Sequence, residues 1–494
     1  MIALAAAVLS AVLYAAAVPP RSIDALAPVA LVPLLLALRG RRAATAFGLG
    51  AGFGLAFAAT MAWWLPAMVG HFFAVSAARA ILGSAAIYLL AAGLPFGLFS
   101  VGAARLLGGR RRLAYVGVPA LWVTAELMRA DAFTGLPWEL LGHALHRRLT
   151  LIQVSELTGV YGLSFLCALT ALAAADVLRP FGAGGRRPAF TALAAAAVVW
   201  TGVADYGEWR LASLATPPTS MPVALVQANQ APARQPSRLR RTETLQAYLR
   251  LTRSHLAGRR AELIVWPENT ASFYLDREPT VLAPLRELAD ETGGVLLVGG
   301  PRRDEATGTL HNSAYEVGPA GLLATYDKTR LVPFAEYAPF ALGAFAGPTA
   351  TFAPGDRSRP VPHPRGPLGV LICYEILYPD VARDLVRHGA RLLVNISNDA
   401  WADTAGTAAG LQMLSMAVFR AVETRRWVVR AATTGISASI APTGRVGPVL
   451  GAGAADVLPV DVAPLDGLTP YVRMGDAFAG SCALAALAAL AVRT

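Results

Sequence analysis

A solitary lysine is the most informative chemical feature of the chain. The sequence holds 43 lysine and arginine residues, and Lys328 is the only lysine among them. Arginine presents a wide planar fork, whereas lysine carries a compact ammonium on a flexible stem. A site that needs one small cation beside a reacting oxygen would retain lysine, although a chance survivor or a lysine in a tight ion pair would give the same count.

Cys373 and Glu268 are two further candidates for catalysis. Cys373 follows the apolar run Gly369–Ile372, where a strand ends and a thiol can be presented at the sheet edge. Its thiolate is the nucleophilic form, which a nearby cation favours. Glu268 follows Pro267, which cannot continue a central strand, so its carboxylate should lie at the sheet edge and exchange protons there. Taken singly, a buried small cysteine and a solvated loop acid are the commoner explanations.

Together the three residues fit one class of reaction. A nucleophile, a base and a cation for a developing oxyanion are the parts that acyl transfer requires. Each of the three lies beside the end of an apolar run in the same part of the chain. The sequence shows no His/Cys cluster with the spacing of a metal site, and we predict no metal and no cofactor.

Residues 221–470 are predicted to form the α/β domain that positions these side chains. Short apolar strands alternate with amphipathic helices, a pattern typical of sheets covered by helices. The predicted strands are Val223–Gln227, Leu263–Trp266, Val295–Gly299, Ser313–Val317, Val370–Cys373, Leu392–Ile396, Val428–Ala432 and Ile436–Ile440. The predicted helices cover about 238–256, 280–292, 378–388 and 406–424.

Composition and charge distinguish the remainder of the chain from this domain. Hydrophobic residues make up 55% of the sequence and charged residues 15%, against about 25% charged in ordinary soluble proteins. Of the net charge of +11, residues 1–203 carry +9, from 15 arginines and 6 acidic residues. The positive excess therefore lies in the apolar half rather than on the polar domain, which argues against a nucleic-acid partner.

Apolar segments predict a membrane domain over 1–203, a linker over 204–220 and a C-terminal span within 471–494, since a span needs about 20 apolar residues. The eight predicted spans are about 2–19, 24–38, 43–66, 80–104, 113–129, 150–178, 188–203 and 475–492. Ten of the fifteen arginines before residue 204 fall in one alternate set of loops. The positive-inside rule assigns those loops to the cytoplasm, so the α/β domain should lie on the outer face.

The stretches around the three candidates resemble the nitrilase superfamily, whose members share a Glu–Lys–Cys triad on an αββα sandwich. Their flanks are most similar to its membrane-embedded branch, the apolipoprotein N-acyltransferases of the bacterial cytoplasmic membrane. The similar stretches are Trp266–Glu268, Tyr326–Lys328, Leu331–Glu336, Cys373–Glu375, Asn398–Trp401 and Thr434–Ser437, with Gly135–Trp138 and Gly159–Gly162 in the apolar half. The resemblance thus extends over nearly the whole chain.

The resemblance implies a fold and a reaction. The fold is a multi-pass α-helical membrane domain of about eight spans joined to a nitrilase-like αββα domain. Cys373 would take an acyl chain from a membrane phospholipid, expected to be phosphatidylethanolamine, and pass it to the N-terminal amine of a diacylglyceryl apolipoprotein. Glu268 would act as the acid and base, and Lys328 would stabilise the oxyanion. The resemblance places a monomer in the bacterial inner membrane.

Further residues enter through the same resemblance. Glu336 resembles a carboxylate that orients the lysine, and Tyr374 and Glu375 are expected to support the nucleophile. The residues expected to contact substrate are Trp401, Phe334, Tyr337, Phe340 and Phe345. The chain departs from the family at Gly410, where histidine is usual, and at Pro236, where tryptophan is frequent. Neither departure touches the triad, but both bear on how lipid or acceptor is held.

Two other functions remain open at this point. A membrane-anchored amidase of the same superfamily would use water as the acceptor. A catalytically idle scaffold or a transporter belongs to a different class, and a transporter needs ionisable residues within its spans. Glu156 and Asp176 lie only near the ends of one predicted span and Glu126 near the end of another, which is thin support for transport.

Residues 334–353 form an apolar segment in which Glu336 is the only charge. Proline and glycine interrupt it, so it should be a long loop rather than a regular element. One interpretation is a loop folded onto its own domain. We favour a mobile lid whose Phe340 and Phe345 dip into the outer leaflet and admit an acyl chain beside Cys373.

The lid hypothesis predicts different results with two substrates. Replacing Phe340 and Phe345 together by serine should slow acylation of Cys373 from a membrane phospholipid, because that substrate must pass the lid. Acylation by a short-chain soluble ester should be nearly unchanged, and the mass of the Cys373 peptide reports both. Equal loss with both substrates would mean that the aromatic side chains hold the domain together.

Overall fold

The computed structural model describes residues 1–178, 187–214, 220–230, 237–338, 352–356, 358–400 and 407–492. The chain divides into two compact units. The first comprises Met1–Leu214 with Met474–Thr494, and the second comprises Ala215–Arg473. The last segment of the chain therefore returns to the unit that contains the first.

Helices account for nearly all regular structure in the first unit, whereas the second contains both helices and strands. The helices are α1 Ile2–Ala17, α2 Val32–Leu38, α3 Ala43–Met61, α4 Leu65–Phe73, α5 Ala77–Tyr88, α6 Leu94–Gly108, α7 Arg111–Asp131, α8 Leu149–Ile152, α9 Ser155–Thr158, α10 Tyr161–Val177, α11 Arg187–Ser213, α12 Arg238–Leu256, α13 Pro279–Thr292, α14 Pro379–Arg387, α15 Ala408–Thr424, α16 Pro470–Met474 and α17 Ala477–Ala491. The strands are β1 Met221–Gln227, β2 Leu263–Val265, β3 Val295–Arg303, β4 Leu310–Gly318, β5 Gly321–Asp327, β6 Leu368–Ile372, β7 Leu392–Ser397, β8 Val428–Ala432, β9 Ser437–Ile440, β10 Val446–Leu450 and β11 Asp456–Val462.

Some helices of the first unit meet the length and hydropathy expected of a membrane span. Among the described residues, three do so: Ala43–Met61, Ala77–Gly108 and Ala189–Ser213. A fourth is added if the pair α8–α9 and α10, bent by 115°, is taken as one span. Helices α1 and α17 are apolar but shorter, and α2 has only seven residues. The count of eight spans therefore stays a prediction.

Acidic side chains in the first unit are paired with donors from other helices. Asp176 in α10 accepts hydrogen bonds from Arg39 and, at 2.7 Å, from the Tyr115 hydroxyl. Glu156 in α9 accepts from the Tyr206 hydroxyl at 2.5 Å and from Arg210 Nε at 2.6 Å. These pairings are typical of charges that hold helices together, so these two acids give the transporter interpretation no added support.

The bonds to Glu156 also extend helix α11 beyond its predicted end. The sequence assigns residues 204–220 to a linker, yet the helix continues to Ser213. Tyr206 and Arg210 lie one turn apart on the same helical face, where both reach Glu156. Tertiary contacts of this kind stabilise helical turns whose composition alone is ambiguous. The first part of residues 204–220 is thus helical, and the assignment of these residues to a linker between domains stays a prediction.

The second unit is a sandwich of two sheets. One has the order β11-β1-β2-β3-β4-β5 and the other the order β10-β9-β8-β7-β6. Strands β1, β2 and β3 are parallel to each other, as are β6, β7 and β8, while the pairings that involve β4, β5, β9, β10 and β11 are antiparallel. Helices α12 and α13 cover the first sheet, and α14 and α15 pack against the second. The order of layers is helix, sheet, sheet, helix, which confirms the expected αββα arrangement.

The hydrophobic core between the six-stranded sheet and helices α12 and α13 explains why the central elements of the sandwich could be predicted from the sequence. Leu249 of α12 and Leu285 of α13 pack with Ile264 and Leu296 of the six-stranded sheet, all fully or almost fully buried. Each such side chain contributes about 1.5–3 kcal/mol by leaving water. Parallel strands buried on both faces appear as continuous apolar runs, and all eight predicted strands are confirmed.

Three strands of the second unit were not predicted, namely β5, β10 and β11. All three lie at sheet edges and have side chains partly exposed to solvent. Edge strands lack the continuous apolar pattern of buried parallel strands. The omission matters for β5, because Lys328 directly follows its last residue, Asp327.

Candidate functional site

The nucleophile candidate is held in a strained turn. Strand β6 ends at Ile372, and Cys373 opens a 3₁₀ turn that runs to Leu377. Its backbone φ is +53°, a left-handed conformation that non-glycine residues adopt at a cost of about 1–3 kcal/mol. Asn395 Nδ2 donates to Leu371 O at 2.8 Å and to Cys373 O at 3.4 Å. The surroundings therefore fix the turn that presents the sulfur beyond the sheet.

Glu375 ties this turn to the segment that carries the lysine. One of its carboxylate oxygens accepts the backbone N–H of Ile372 at 2.8 Å, and the other accepts the backbone N–H and the hydroxyl of Thr329, both at 2.7 Å. Tyr326 donates its hydroxyl to the same carboxylate at 3.0 Å. Burial raises the pKa of Glu375, while the bonds from Ile372 and Thr329 oppose that rise. This supporting residue thus acts as a brace between two strand ends.

Lys328 lies between two carboxylates. Its Nζ donates to Glu336 Oε1 at 2.9 Å and to Glu268 Oε1 at 3.4 Å, and the side chain is 1% exposed. Burial alone would lower the pKa of Lys328, but Glu336 and Glu268 outweigh burial and hold that pKa above its usual range. The solitary lysine is therefore ion-paired with two acids, more closely with Glu336 than with Glu268, the predicted base.

Glu268 receives a donor on each carboxylate oxygen besides the lysine. Asn312 Nδ2 donates to Oε1 at 2.7 Å, and the backbone N–H of Asn398 donates to Oε2 at 2.8 Å. Asn312 Nδ2 also lies 2.8 Å from Glu336 Oε1, and Val332 donates its backbone N–H to Glu336 Oε2 at 2.7 Å. The geometry brings Glu268, Glu336 and Lys328 into one hydrogen-bonded cluster.

Asn312 is the residue of this cluster that the sequence analysis missed. The predicted strand begins at Ser313, whereas β4 begins at Leu310 and places Asn312 inside the sheet. Asparagine is depleted in strands, so an asparagine next to an apolar strand was the available signal. Its backbone carbonyl also accepts the Lys328 N–H at 2.8 Å, so one residue positions both the lysine and the two acids.

The electrostatic environment keeps the thiol of Cys373 protonated before a reaction begins. Burial raises the pKa of this thiol most, and Glu268 and Asp399 raise it further. Lys328 and a hydrogen bond with Ser397 act in the opposite direction without overcoming the rise. A nucleophilic sulfur at this position would need a base to take its proton, and Glu268 is the acid group whose charge raises the pKa of the thiol most.

The residues predicted around the substrate are only partly described. Tyr374 is buried, with its ring 5.1 Å from that of Tyr378. Phe334 and Tyr337 are half-buried, and the Phe334 N–H donates to Tyr337 O at 2.7 Å in a tight loop after Lys328. The predicted residues Trp401, Phe340 and Phe345, and the departure at Pro236, lie outside the described residues.

The departure at Gly410 lies in helix α15, near the site. A Cβ at this position would be 3.4 Å from Ile436 and 4.0 Å from Asp399 Oδ2. Those distances are ordinary van der Waals contacts, so backbone packing does not explain the glycine. Across the described part of the chain, no three His, Cys, Asp or Glu side chains gather as a metal site would require.

Comparisons with known sequences match both parts of the chain. A sequence model of the carbon-nitrogen hydrolases matches residues 222–466, and one of the apolipoprotein N-acyltransferase N-terminal domain matches residues 10–173. An apolipoprotein N-acyltransferase of Geobacter metallireducens is 36% identical, covering 99% of this chain and 95% of that protein. One of Gloeobacter violaceus is 32% identical, covering 97% and 92% respectively.

Comparisons with solved structures match about half of the chain. An amidase from Nesterenkonia sp. is 20% identical, with a TM-score of 0.41, covering 55% of this chain and 98% of the amidase. A carbon-nitrogen hydrolase from Helicobacter pylori is 16% identical, with a TM-score of 0.39, covering 49% of this chain and 89% of that one.

Close packing against Gly299 generates a prediction about the base. A Cβ on Gly299 would lie 2.6 Å from Glu268 Cα and 2.6 Å from Pro267 O, and overpacking of this kind forces backbone shifts. Gly299→Ala should therefore displace Glu268 and slow acylation of Cys373 by p-nitrophenyl butyrate at least tenfold, measured as nitrophenol release.

Gly451→Ala is the matched control, because nothing lies within 4 Å of a Cβ there. It should react at the wild-type rate. A Gly299→Ala variant within twofold of wild type would show that the position of Glu268 does not depend on this close approach.

Proposed function

We infer that this chain, which belongs to the apolipoprotein N-acyltransferase family, N-acylates lipoproteins and does so through a Glu268–Lys328–Cys373 triad. The observation that carries the proposal is the buried ammonium of Lys328 held between Glu268 and Glu336. In this proposal Glu268 is the acid/base group and Lys328 the compact cation that act on Cys373, and both affect the pKa of its thiol. Those are the groups that acyl transfer through a covalent intermediate needs.

The first half-reaction forms a thioester. Glu268 takes the proton of the Cys373 thiol as the sulfur attacks the sn-1 ester carbonyl of a phospholipid. The carbonyl oxygen gains negative charge, which the Lys328 ammonium stabilises. When the carbon–oxygen ester bond breaks, Glu268 returns the proton to the leaving glycerol oxygen, and a lysophospholipid departs. The acyl chain remains on the sulfur.

The second half-reaction transfers the chain to nitrogen. The α-amine of the diacylglyceryl-cysteine attacks the thioester carbonyl, and Lys328 again stabilises the oxyanion. Glu268 accepts a proton from the attacking nitrogen. The carbon–sulfur bond then breaks, and the thiolate takes the proton from Glu268. The amide product leaves, and the thiol is protonated as at the start, in keeping with its raised pKa.

Burial favours transfer to an amine over loss to water. Cys373 is 6% exposed, Glu268 6% and Lys328 1%, so bulk water has little access to the reacting atoms. A site that excludes water also strengthens the attraction between the Lys328 ammonium and an oxyanion. An amidase using water as acceptor is the alternative, and the match of residues 10–173 to an N-acyltransferase domain does not favour it.

The cellular setting completes the proposal. We place the chain in the bacterial cytoplasmic membrane with eight spans and with the catalytic domain on the outer face, on the basis of its apolar segments and arginine distribution. Phosphatidylethanolamine is the proposed acyl donor, a diacylglyceryl apolipoprotein is the acceptor, and the protein acts as a monomer. Glu336 and Glu375 orient the catalytic groups without reacting.

Product analysis distinguishes the acyltransferase from the amidase. The full chain is reconstituted in phosphatidylethanolamine vesicles with a synthetic diacylglyceryl-cysteine peptide, and lipids and peptides are measured by mass spectrometry. The proposal predicts equal amounts of N-acylated peptide and lysophospholipid from the wild-type protein. Cys373→Ala should form neither product, because it has no nucleophile. Cys373→Ser should also form neither, because a hydroxyl is a far weaker nucleophile beside this base. Free fatty acid without N-acylated peptide would favour hydrolysis, and normal turnover by Cys373→Ser would exclude a thioester.

Lys328→Arg tests the need for a compact cation. The variant keeps the charge, but a planar guanidinium cannot replace an ammonium that lies within 3.4 Å of two carboxylates. Turnover should fall about 10²–10³-fold, as for loss of one oxyanion donor, and nearly as far as in Lys328→Ala. An arginine variant with more than about a tenth of the wild-type rate would contradict the proposed role.

A further inference from the structure

Arg430 brings a positive charge into the interior of the five-stranded sheet. It lies in β8 and is fully buried, a position that is unfavourable for a charge unless its donors are bonded. Its Nη2 donates to both carboxylate oxygens of Asp399, at 2.8 and 2.7 Å, and its Nη1 donates to Asn395 Oδ1. Its Nε donates to Ile436 O at 3.2 Å. One side chain therefore connects three other segments.

Asp399 is the acidic member of this ion pair. It follows β7, is 4% exposed, and accepts the Ser397 hydroxyl at 2.6 Å. A Cβ on Gly435 would lie 2.0 Å from Asp399 Oδ2, so the carboxylate packs directly against the backbone of Gly435. Burial and Glu268 raise the pKa of the Cys373 thiol most, and Asp399 adds to that rise.

Asn395 links the same arginine to the nucleophile's backbone. Because its Oδ1 accepts from Arg430, its Nδ2 must point the other way, toward the carbonyls of Leu371 and Cys373. Those carbonyls flank the turn in which Cys373 holds its left-handed conformation. The guanidinium thus decides the orientation of the amide that stabilises this turn.

We propose that Arg430 and Asp399 are positioning residues of the active site: Arg430 orients Asn395 against the Cys373 backbone and neutralises the buried charge of Asp399. The inference rests on the proposed function in one respect, since a thioester route requires Cys373 to ionise transiently. With Asp399 neutralised, the balance of charge at the sulfur is set by Lys328 and its carboxylates. Without Arg430, a second buried anion would oppose the thiolate.

The charged groups that face Cys373 come from several strand ends. Glu268 follows β2, Lys328 follows β5 with Glu336 bonded to it, and Asp399 follows β7. Glu375 lies within the turn itself and is bonded to backbone N–H groups. Variants at Arg430 and Asp399 leave all the other charges in place. Opposite effects of the two variants on the thiol pKa would therefore show that the charge of each residue acts on the thiol.

The test measures alkylation of Cys373 by iodoacetamide as a function of pH, using the purified full chain and the mass of the Cys373 peptide. Arg430→Met should shift the profile to higher pH and slow alkylation at pH 8 about tenfold, which corresponds to one unit of thiol pKa. Asp399→Asn should shift it to lower pH and accelerate alkylation several-fold. The double variant should return to within threefold of wild type.

Two further variants separate charge from packing. Arg430→Lys keeps the cation and should react faster than Arg430→Met. Arg426→Met is the matched control, because Arg426 is also buried but donates to backbone carbonyls such as Ala390 O and Gly467 O. Its alkylation profile should match wild type.

Slower alkylation in both single variants, with the double variant slower still, would show a purely structural role and overturn the inference. If Arg430→Met does not fold, the pH dependence of Asp399→Asn decides alone. The charge argument predicts a shift of its profile to lower pH, whereas loosened packing would accelerate alkylation without that shift. Alkylation needs neither lipid nor acceptor. Opposite shifts without any acyl transfer would therefore sustain this inference while the proposed function failed.

Discussion

The buried ion cluster around Lys328 is the interaction on which the catalytic unit depends. An ammonium removed from water is stable only when its desolvation is offset by close, well-oriented partners. Here Glu336 and Glu268 supply the opposite charges, and Asn312 holds both acids in register. The cluster fixes the proposed base and the proposed cation at once, so neither would have to rearrange when charge develops on a substrate.

The sandwich is the means by which this cluster is assembled. Glu268, Lys328, Cys373 and Asp399 each lie just beyond the end of a strand, and the two sheets bring those ends together although they are far apart in sequence. Glu375 then braces the nucleophile's turn against the lysine segment. Strain at Cys373 and charge at Lys328 are thus maintained by the same set of buried hydrogen bonds.

The elements and site residues that have a local pattern in the sequence could be predicted from it. Buried parallel strands appear as apolar runs, and Lys328 was conspicuous because arginine occupies every other basic position. Asn312 offered only an asparagine next to an apolar strand, and Arg430 offered no signal. The roles of both depend on which strands become neighbours, which is a property of the tertiary fold. Edge strand β5 was missed for the related reason that the sequence of a half-exposed strand resembles that of a loop. Helix α11 continues past the end predicted from composition because Glu156 bonds to its side chains.

The covalent intermediate is the central claim, and the mass of Cys373 tests it most directly. The purified full chain is incubated in phosphatidylethanolamine vesicles without any acceptor, digested, and the Cys373 peptide is weighed. The account predicts one acyl chain on Cys373, removable by hydroxylamine and lost when a diacylglyceryl-cysteine peptide is added. Transfer to that peptide without any acyl adduct on Cys373, or with the adduct on another residue, would contradict it.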